Sequence, residues 1–273
     1  MTTGISRGVL YMVWGDGVQA TLDRSIASLR QFHPDLPIHI ERAEVLANNY
    51  HGLSLLQKAS LARRSPFTQT LYLDADTIVL GNLDYGFEMA QRHGLACTLC
   101  ESPWARRHTG LRGEGDLVEY NTGVLFFTAQ SRAVFEAWES LVHRLDSSTV
   151  FVNAEGKLAT NPHDDQAAFA LAVKQTDYVP FVLPPNWNFR PLFYRVFVGP
   201  IKIWHAYPPI PERLLEICRY YQNPRAVIQE HLGWQEGDCA DPQAWNPMSG
   251  PPNQAPGGQN QPRGEGIQSS DAG

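Results

Sequence analysis

The chain has 273 residues, of which 43% are apolar and 11% aromatic, enough to bury the core of one domain of larger than average size. Its net charge of −6 argues against a nucleic-acid-binding surface. No apolar run reaches the roughly 18 residues of a transmembrane helix, and no signal-peptide core precedes the domain, so the sequence favours a cytoplasmic location.

The amino-terminal part of the chain predicts a strand, a helix and a second strand. Residues 8–14 form a continuous apolar run, typical of a strand that is buried on both faces. From Thr21 apolar residues recur at helical spacing until Pro34, and residues 37–41 then have strand character. Such a unit implies parallel pairing with a right-handed crossover, and ligands bind at the strand ends of open α/β sheets.

The strongest signal is a pair of acids at the end of the next predicted strand. A helix is predicted over 53–63, and an apolar strand from Thr70 then runs into Asp74 and Asp76. Because side chains alternate along a strand, both carboxylates point the same way and Ala75 points opposite. Unpaired carboxylates beside an apolar sheet are costly, so we expect a cation there, and Mg²⁺ or Mn²⁺ suits such ligands. The alternative is a strand end with two solvated acids at a turn.

The middle of the chain predicts a helix through 88–93, a strand over 95–99 and a long polar segment over 101–119. Loops of that length in a compact domain are usually functional or disordered, and both possibilities stay open here. The strand contains the first cysteine of a Cys97-x-x-Cys100 pair. Four cysteines are too few and too scattered for a disulfide framework, so we expect these two to be structural thiols.

A polar step, Asn121-Thr122-Gly123, opens the next predicted strand, which continues to Phe127. Amide and hydroxyl groups at the start of a strand are the neutral, directional hydrogen-bonding partners that sugars need. The glycine permits close approach of a ligand to the backbone. Without further context, the same residues would be an ordinary strand start.

Two helices follow in the carboxyl-terminal half. The first is predicted to be capped by Ser131, with Trp138 on its core face. The second begins with Asp164, Asp165 and Gln166; acids at a helix start fit the helix dipole, but two acids and a glutamine exceed what a cap requires.

The last predicted elements are strands over 179–183 and 201–207 and a helix over 211–221. His205 stands near the end of the second strand, where a single histidine is more often structural than a ligand. Residues 246–273 are rich in Pro, Gly, Gln, Asn and Ser, and we expect them to be disordered because they cannot bury enough apolar surface.

Several of these motifs together resemble one family. The segment Leu-Tyr-Leu-Asp-Ala-Asp-Thr over 71–77 resembles the metal-binding Asp-x-Asp segment of GT-A glycosyltransferases, particularly glycosyltransferase family 8 and its glycogenin-like relatives. The Asn-Thr-Gly strand, the Asp165-Gln166 pair and the Ile-x-His context of His205 are similar to further elements of that family. The resemblance covers roughly residues 8–207. It implies a single Rossmann-like GT-A domain over 1–235 with a central, mostly parallel twisted sheet flanked by helices.

The resemblance also implies an activity: a metal-dependent transfer of a sugar from a nucleotide-diphosphate sugar, by kinship a UDP-sugar, to the hydroxyl of a carbohydrate or other acceptor, with retention at the anomeric carbon. Mn²⁺ or Mg²⁺ would be held by Asp74, Asp76 and His205. Asp165 and Gln166 would be the catalytic residues beside the sugar and acceptor. The implied donor-binding residues are Trp14, Lys58, Asp74, Ala75, Asp76, Asn121, Thr122, Gly123 and Asn188. For Lys58 the alternative is a solvated helix lysine.

The chain departs from the family pattern directly after the histidine. Where family members have a glycine and a Lys-Pro-Trp segment whose lysine touches the diphosphate, this chain has Ala206-Tyr-Pro-Pro. The diphosphate contact would then come from another basic residue. The candidates are Lys202, Arg190 and Arg195.

Two other functions stay open. The segment Asp74-Ala75-Asp76 after an apolar strand also resembles the nucleophile motif of haloacid-dehalogenase-type phosphatases, and Asp164 with Asp165 could imitate the acidic pair of those enzymes. The second alternative is a non-catalytic protein that binds a sugar nucleotide or glycan and has kept the metal site.

Overall fold

The computed structural model describes residues 6–15, 17–44, 55–100, 117–145, 149–152, 158–161, 165–191, 196–198, 200–206, 210, 212 and 229–231. Most of the predicted polar segment over 101–119, nearly all of the predicted helix over 211–221 and the tail over 246–273 lie outside the described residues. So do Asp164 and Arg195.

Twelve strands are described: β1 Arg7–Val13, β2 Ile38–Arg42, β3 Gln69–Leu73, β4 Thr77–Val79, β5 Leu95–Leu99, β6 Tyr120–Thr128, β7 Thr149–Val152, β8 Leu158–Asn161, β9 Phe181–Val182, β10 Val196–Val198, β11 Ile203–His205 and β12 Gln229–His231. The described α-helices are α1 Gln19–Phe32, α2 Leu61–Arg64, α3 Asp84–His93, α4 Arg132–Val142 and α5 Gln166–Gln175. Short 3₁₀ helices cover Leu56–Ser60, Ala129–Ser131 and Pro185–Trp187.

The central sheet has the strand order β2-β1-β3-β6-β5-β9. Strand β1 pairs in parallel with both β2 and β3, and β5 pairs in parallel with β9. Only β6, among these six, runs against its neighbours β3 and β5. The predicted α/β class, with a mostly parallel central sheet flanked by helices, is therefore confirmed, and the predicted strand–helix–strand unit is β1-α1-β2.

Both faces of the sheet are covered, which explains the continuous apolar run of β1. Leu10 and Met12 pack into a core that includes residues of α4 and α5, while Val9, Tyr11 and Val13 pack into a second core that includes residues of α1 and α3. Because consecutive side chains of a strand face opposite ways, a strand between two helical layers must be apolar at every position.

Three local predictions are corrected. The predicted helix over 53–63 is, in its described part, mainly a 3₁₀ helix followed by the single turn α2, and the Ser60 hydroxyl donates to the Gln57 carbonyl where the two meet. Ser131 is the N-cap residue of α4 as predicted, but its hydroxyl makes no capping hydrogen bond and donates to the Thr128 carbonyl instead. Within the described residues 201–206, the predicted strand over 201–207 is limited to β11, which pairs with β4 rather than with the central sheet.

Among the described residues, none of the helices has both the length and the apolar character that a membrane crossing requires.

Two glycines adopt a left-handed backbone in different surroundings. Gly94 ends α3 with φ of 74°, and its amide donates to the Ala90 carbonyl at 2.7 Å. A Cβ atom there would lie 2.0 Å from the Tyr178 hydroxyl and 2.8 Å from Gln130 Cβ. Gly15 has a similar φ of 72°, but a Cβ atom there would meet nothing within 4 Å.

These two positions separate backbone strain from steric clash. We expect Gly15→Ala to lower the free energy of unfolding by about 1 to 2 kcal/mol, the usual penalty of a left-handed residue with a Cβ atom. Gly94→Ala should lower it by about 1 to 3 kcal/mol more, because the methyl group also overpacks its site. Urea unfolding of both variants measures the difference, and equal losses would contradict the steric argument.

Candidate metal centre

The end of β3 and the start of β6 meet at one edge of the central sheet. Because the two strands are antiparallel, Leu73 lies opposite Val124, and the Asp74 amide donates to the Gly123 carbonyl at 2.8 Å. The acids that follow β3 and the Asn-Thr-Gly step that opens β6 are therefore neighbours in space. Two sequence signals that lie far apart in the chain belong to one site.

The pairing of β11 with β4 brings His205 to the same edge. His205 lies opposite Thr77 in this pair, and the Ala206 amide donates to the Asp76 carbonyl at 3.1 Å. The ring nitrogen Nε2 of His205 lies 3.4 Å from Asp76 Oδ1 and 3.7 Å from Asp74 Oδ2.

One ligand atom from each of Asp74, Asp76 and His205 lies within 4.8 Å of the others. Two carboxylates and an imidazole are chemically suited to a divalent ion such as Mn²⁺, which accepts nitrogen as well as oxygen ligands. The predicted metal-ligating residues are thus brought together in a set that fits a divalent metal ion.

A cleft of about 350 Å³ opens onto these three residues. The end of β1, the residues leading into α1 and the segment after β3 form it. Its lining comprises Met12, Val13, Trp14, Gly17, Val18, Thr21, Leu55, Asp74, Ala75, Asp76 and His205. Its volume is that of a small-molecule site, and its apolar wall lies beside the acidic end. Four of the predicted donor-binding residues line this cleft: Trp14, Asp74, Ala75 and Asp76.

Behind the cleft lies a buried lysine. Lys58 is 2% exposed, and its ammonium nitrogen lies 3.1 Å from Asp74 Oδ1 and 3.3 Å from Asp165 Oδ2, and donates to Thr122 Oγ1 at 3.3 Å. Burial by itself would lower the pKa of Lys58, but the carboxylates of Asp165 and Asp74 outweigh it and raise that pKa. Lys58 is therefore charged, and the alternative of a solvated helix lysine is wrong.

Asp165 is held from two directions. Its Oδ2 accepts a hydrogen bond from the Thr122 hydroxyl at 2.7 Å, and its main-chain carbonyl accepts one from Trp138 Nε1 at 3.0 Å. Asp165 occupies the N-cap position of α5 but makes no side-chain capping hydrogen bond, so helix capping does not explain this acid. Gln166, the first residue of α5, is buried beside it.

Tyr72 is a site residue that the motif analysis missed. Its hydroxyl donates to Asp74 Oδ1 at 2.5 Å. Burial and the nearby Asp74 carboxylate raise the pKa of Tyr72 well above its usual range, so the hydroxyl keeps its proton and remains a donor. Because side chains alternate along a strand, Tyr72 lies on the same side as Asp74, and this spacing in the sequence could have identified Tyr72 as a site residue. With Lys58 and Tyr72 bound to it, Asp74 is not a solvated turn acid.

Asp76 stays ionised because of its basic neighbours. Burial opposes its ionisation, but the neighbouring His205 ring and, more weakly, the Arg190 guanidinium lower the pKa of Asp76 to about 2. Of the three basic residues considered for a diphosphate contact, Arg190 acts on Asp76, Lys202 lies against Gly81, and Arg195 is outside the described residues.

Three further predicted residues lie directly around the histidine. Asn121 and Asn188 are buried, and their side chains hydrogen-bond to each other at 2.8 Å. The His205 ring nitrogen Nδ1 lies 2.8 Å from Asn188 Oδ1. A Cβ atom on Gly123 would lie 2.3 Å from His205 Cε1 and 2.7 Å from Asp74 Oδ2. The glycine therefore admits two side chains of the site close to the backbone of β6.

Comparison with known proteins gives similarity at the level of structure. No family model matches the sequence, and no curated protein matches it. The apo form of mouse xyloside xylosyltransferase 1 has a TM-score of 0.50 and 13% identity, over 76% of this chain and 100% of that one.

Two further structures have lower scores. The galactosyltransferase LgtC in complex with donor and acceptor sugar analogs has a TM-score of 0.49 and 13% identity, over 79% of this chain and 96% of that one. The apo glycosyltransferase GlyE of Streptococcus pneumoniae TIGR4 has a TM-score of 0.47 and 16% identity, over 79% and 60%. The similarity to the xylosyltransferase structure, at a TM-score of 0.50, shows that this chain has the α/β fold of GT-A glycosyltransferases.

The buried ion pairs of Lys58 should dominate the local stability. We expect Lys58→Met to lower the free energy of unfolding by about 3 to 5 kcal/mol, because it leaves two carboxylates without their cation. The matched control, Arg63→Met, removes an exposed ion pair to Glu139 and should cost no more than about 1 kcal/mol. Urea unfolding compares the two variants, and similar losses would contradict the role assigned to Lys58.

A methyl group on Gly123 should displace the metal-binding side chains. We expect Gly123→Ala to weaken Mn²⁺ binding by about tenfold or more, since it pushes His205 and the Asp74 carboxylate from their positions. The electron paramagnetic resonance signal of free Mn²⁺ measures the affinity, and far-ultraviolet circular dichroism checks the fold. In the control Gly81→Ala, the added methyl meets only the flexible side chain of Lys202, and the affinity should not change.

Proposed function

We propose that the protein is a metal-dependent glycosyltransferase that moves a sugar from a nucleotide-diphosphate sugar to a hydroxyl acceptor. The observation that carries the proposal is the convergence of Asp74, Asp76 and His205 at one end of a ligand-sized cleft. A GT-A fold supports the class of reaction, since it places this cleft at the strand ends of the sheet where ligands bind in open α/β sheets.

The shape of the cleft supports a nucleotide donor. Val13, Trp14, Val18 and Leu55 offer an apolar and aromatic wall for a base and ribose, and the acidic residues with their cation lie where a diphosphate would follow. A UDP-sugar is the donor implied by the resemblance to glycosyltransferase family 8. We take it as the first donor to test.

The charges of the site support a divalent cation. The carboxylates of Asp74, Asp76 and Asp165 outnumber the one buried ammonium group, that of Lys58, and such a set of oxygen ligands favours a bound divalent ion. When bound, that ion would act as a Lewis acid that stabilises the charge developing on the departing diphosphate. Arg190, whose charge reaches Asp76, is the basic residue we assign to the diphosphate in place of the family's lysine.

The sugar side of the site is assigned to Thr122, Asp165 and Gln166. Lys58 and Thr122 fix the Asp165 carboxylate, so it can orient a sugar or acceptor hydroxyl without moving. Gln166 follows at the start of α5 and is the residue we assign beside the anomeric carbon. Retention of configuration is part of the proposal through the family resemblance, and nuclear magnetic resonance of the first-formed product tests it.

The two alternatives differ in what they require of Asp74. A phosphatase would use this carboxylate as a nucleophile, whereas here Tyr72 and Lys58 both bind it. A non-catalytic binding protein would use the same metal and donor residues but would transfer nothing. Sugar transfer therefore distinguishes the glycosyltransferase from a non-catalytic binding protein. Hydrolysis of a phosphate ester distinguishes it from a phosphatase.

A panel of nucleotide sugars with and without Mn²⁺ tests the proposal. A donor at about a hundredfold over its Kd should stabilise the protein by about 2.7 kcal/mol, which is visible as a rise in Tm. We expect one donor to give a Mn²⁺-dependent rise that Asp76→Asn abolishes. The control Asp23→Asn changes an exposed acid of α1 and should keep the full shift.

The donor identified in this way is then incubated with hydroxyl acceptors. Formation of a glycosylated product supports the glycosyltransferase. Donor binding without any transfer or donor hydrolysis supports the non-catalytic alternative. Turnover of a phosphate ester without a shift by any nucleotide sugar would contradict the proposed function.

A further inference from the structure

A chain of three hydrogen bonds leads from the backbone of β6 to the histidine of the metal centre. The Gly123 amide donates to Asn121 Oδ1 at 2.9 Å, and Asn188 Nδ2 donates to the same oxygen at 2.8 Å. Asn188 Oδ1 lies 2.8 Å from His205 Nδ1. Asn121, Asn188 and His205 are 3%, 2% and 8% exposed, so water does not compete freely for these bonds.

The first link fixes the direction of every later one. A backbone amide can only donate, so the atom of Asn121 that it meets must be the carboxamide oxygen. That oxygen cannot donate, so the atom of Asn188 facing it must be the amide nitrogen. The oxygen of Asn188 then faces His205, and because a carboxamide oxygen only accepts, the proton of this bond lies on His205 Nδ1.

The proton on Nδ1 decides what the opposite ring nitrogen can do. A neutral imidazole has one N–H, so Nε2 carries a lone pair when Nδ1 is protonated. In this structure Nε2 is the nitrogen that faces the carboxylates of Asp74 and Asp76. A proton or a divalent cation can occupy that lone pair, and a cation placed among the three residues would take it as a ligand.

We propose that Asn121 and Asn188 are positioning residues that hold His205 in the Nδ1-protonated tautomer and so present Nε2 to the divalent cation. The inference rests on the proposed function, which requires a metal at this place. It assigns the two asparagines to the histidine, where the sequence alone suggested contact with the donor. Asn121 and Asn188 come from β6 and from the end of the Pro185–Trp187 turn, so this bond chain also ties the histidine to the central sheet.

The tautomer can be measured directly without metal or donor. Isotope-labelled histidine and a two-bond proton–nitrogen correlation spectrum at mildly alkaline pH distinguish the two neutral tautomers, and the spectrum of His205→Gln identifies the signal among the nine histidines. We expect His205 of the wild-type protein to be protonated at Nδ1. A wild-type ring protonated at Nε2 and not at Nδ1 would overturn the inference without any variant.

Variants of Asn188 test the cause. In Asn188→Leu, the acceptor for Nδ1 is lost, so the Nε2-protonated form should become populated and the Mn²⁺ affinity should fall by about 10- to 100-fold. Asn188→Asp keeps an acceptor at this position and should keep the Nδ1 proton. The matched control, Asn186→Leu, removes a neighbouring asparagine that bonds the Pro200 carbonyl, and should leave both the tautomer and the affinity unchanged.

The two readouts separate this inference from the proposed function. Mn²⁺ binding that survives in Asn188→Leu, together with an unchanged tautomer, would overturn the positioning role and leave the proposed function standing. A wild-type protein with the Nδ1 proton that binds no Mn²⁺ would overturn the metal of the proposed function and, with it, the role given to Nε2. The inference is supported if Asn188→Leu loses both the Nδ1-protonated tautomer and the Mn²⁺ affinity while Asn186→Leu keeps both.

Discussion

The arrangement of the site depends on one buried cation. Lys58, itself buried, brings its ammonium group between Asp74, which follows β3 and lines the cleft, and the buried Asp165, which precedes α5. Both carboxylates pair with this ammonium group, and its removal would leave charged groups without a partner at a cost of several kcal/mol. The amine therefore joins three distant segments of the chain and leaves Asp76 and one face of Asp74 toward the cleft.

The fold was largely predictable because its elements are periodic. A sheet buried on both faces favours continuous apolar runs, as over 9–13 of β1 and 71–73 of β3, and α1 carries its apolar residues at helical spacing. The two acids after β3 were also readable, since charge directly behind a buried strand is costly unless it binds something. For His205 the residue pattern alone favoured a structural role, and family resemblance pointed to the metal.

The remaining features depend on tertiary contacts that no local pattern contains. An alternating apolar strand looks the same in either direction, so the antiparallel course of β6 could not be derived from its residues. A lysine on a short helix has the same local sequence whether it is solvated or buried, and Asp165 has the local context of a cap although it makes no capping bond. The burial and role of such residues depend on the partners that distant parts of the chain place beside them.

The close packing of the His205 ring over Gly123 also constrains how the strands can assemble. A slip of β6 by one residue against β3 would bring Thr122 or Val124 under the ring, and either side chain would occupy the space that the ring needs. The pairing of β11 with β4 could then not close. The glycine thus favours one register of β6 against β3, because a chain paired in another register could not place its histidine ligand in the site.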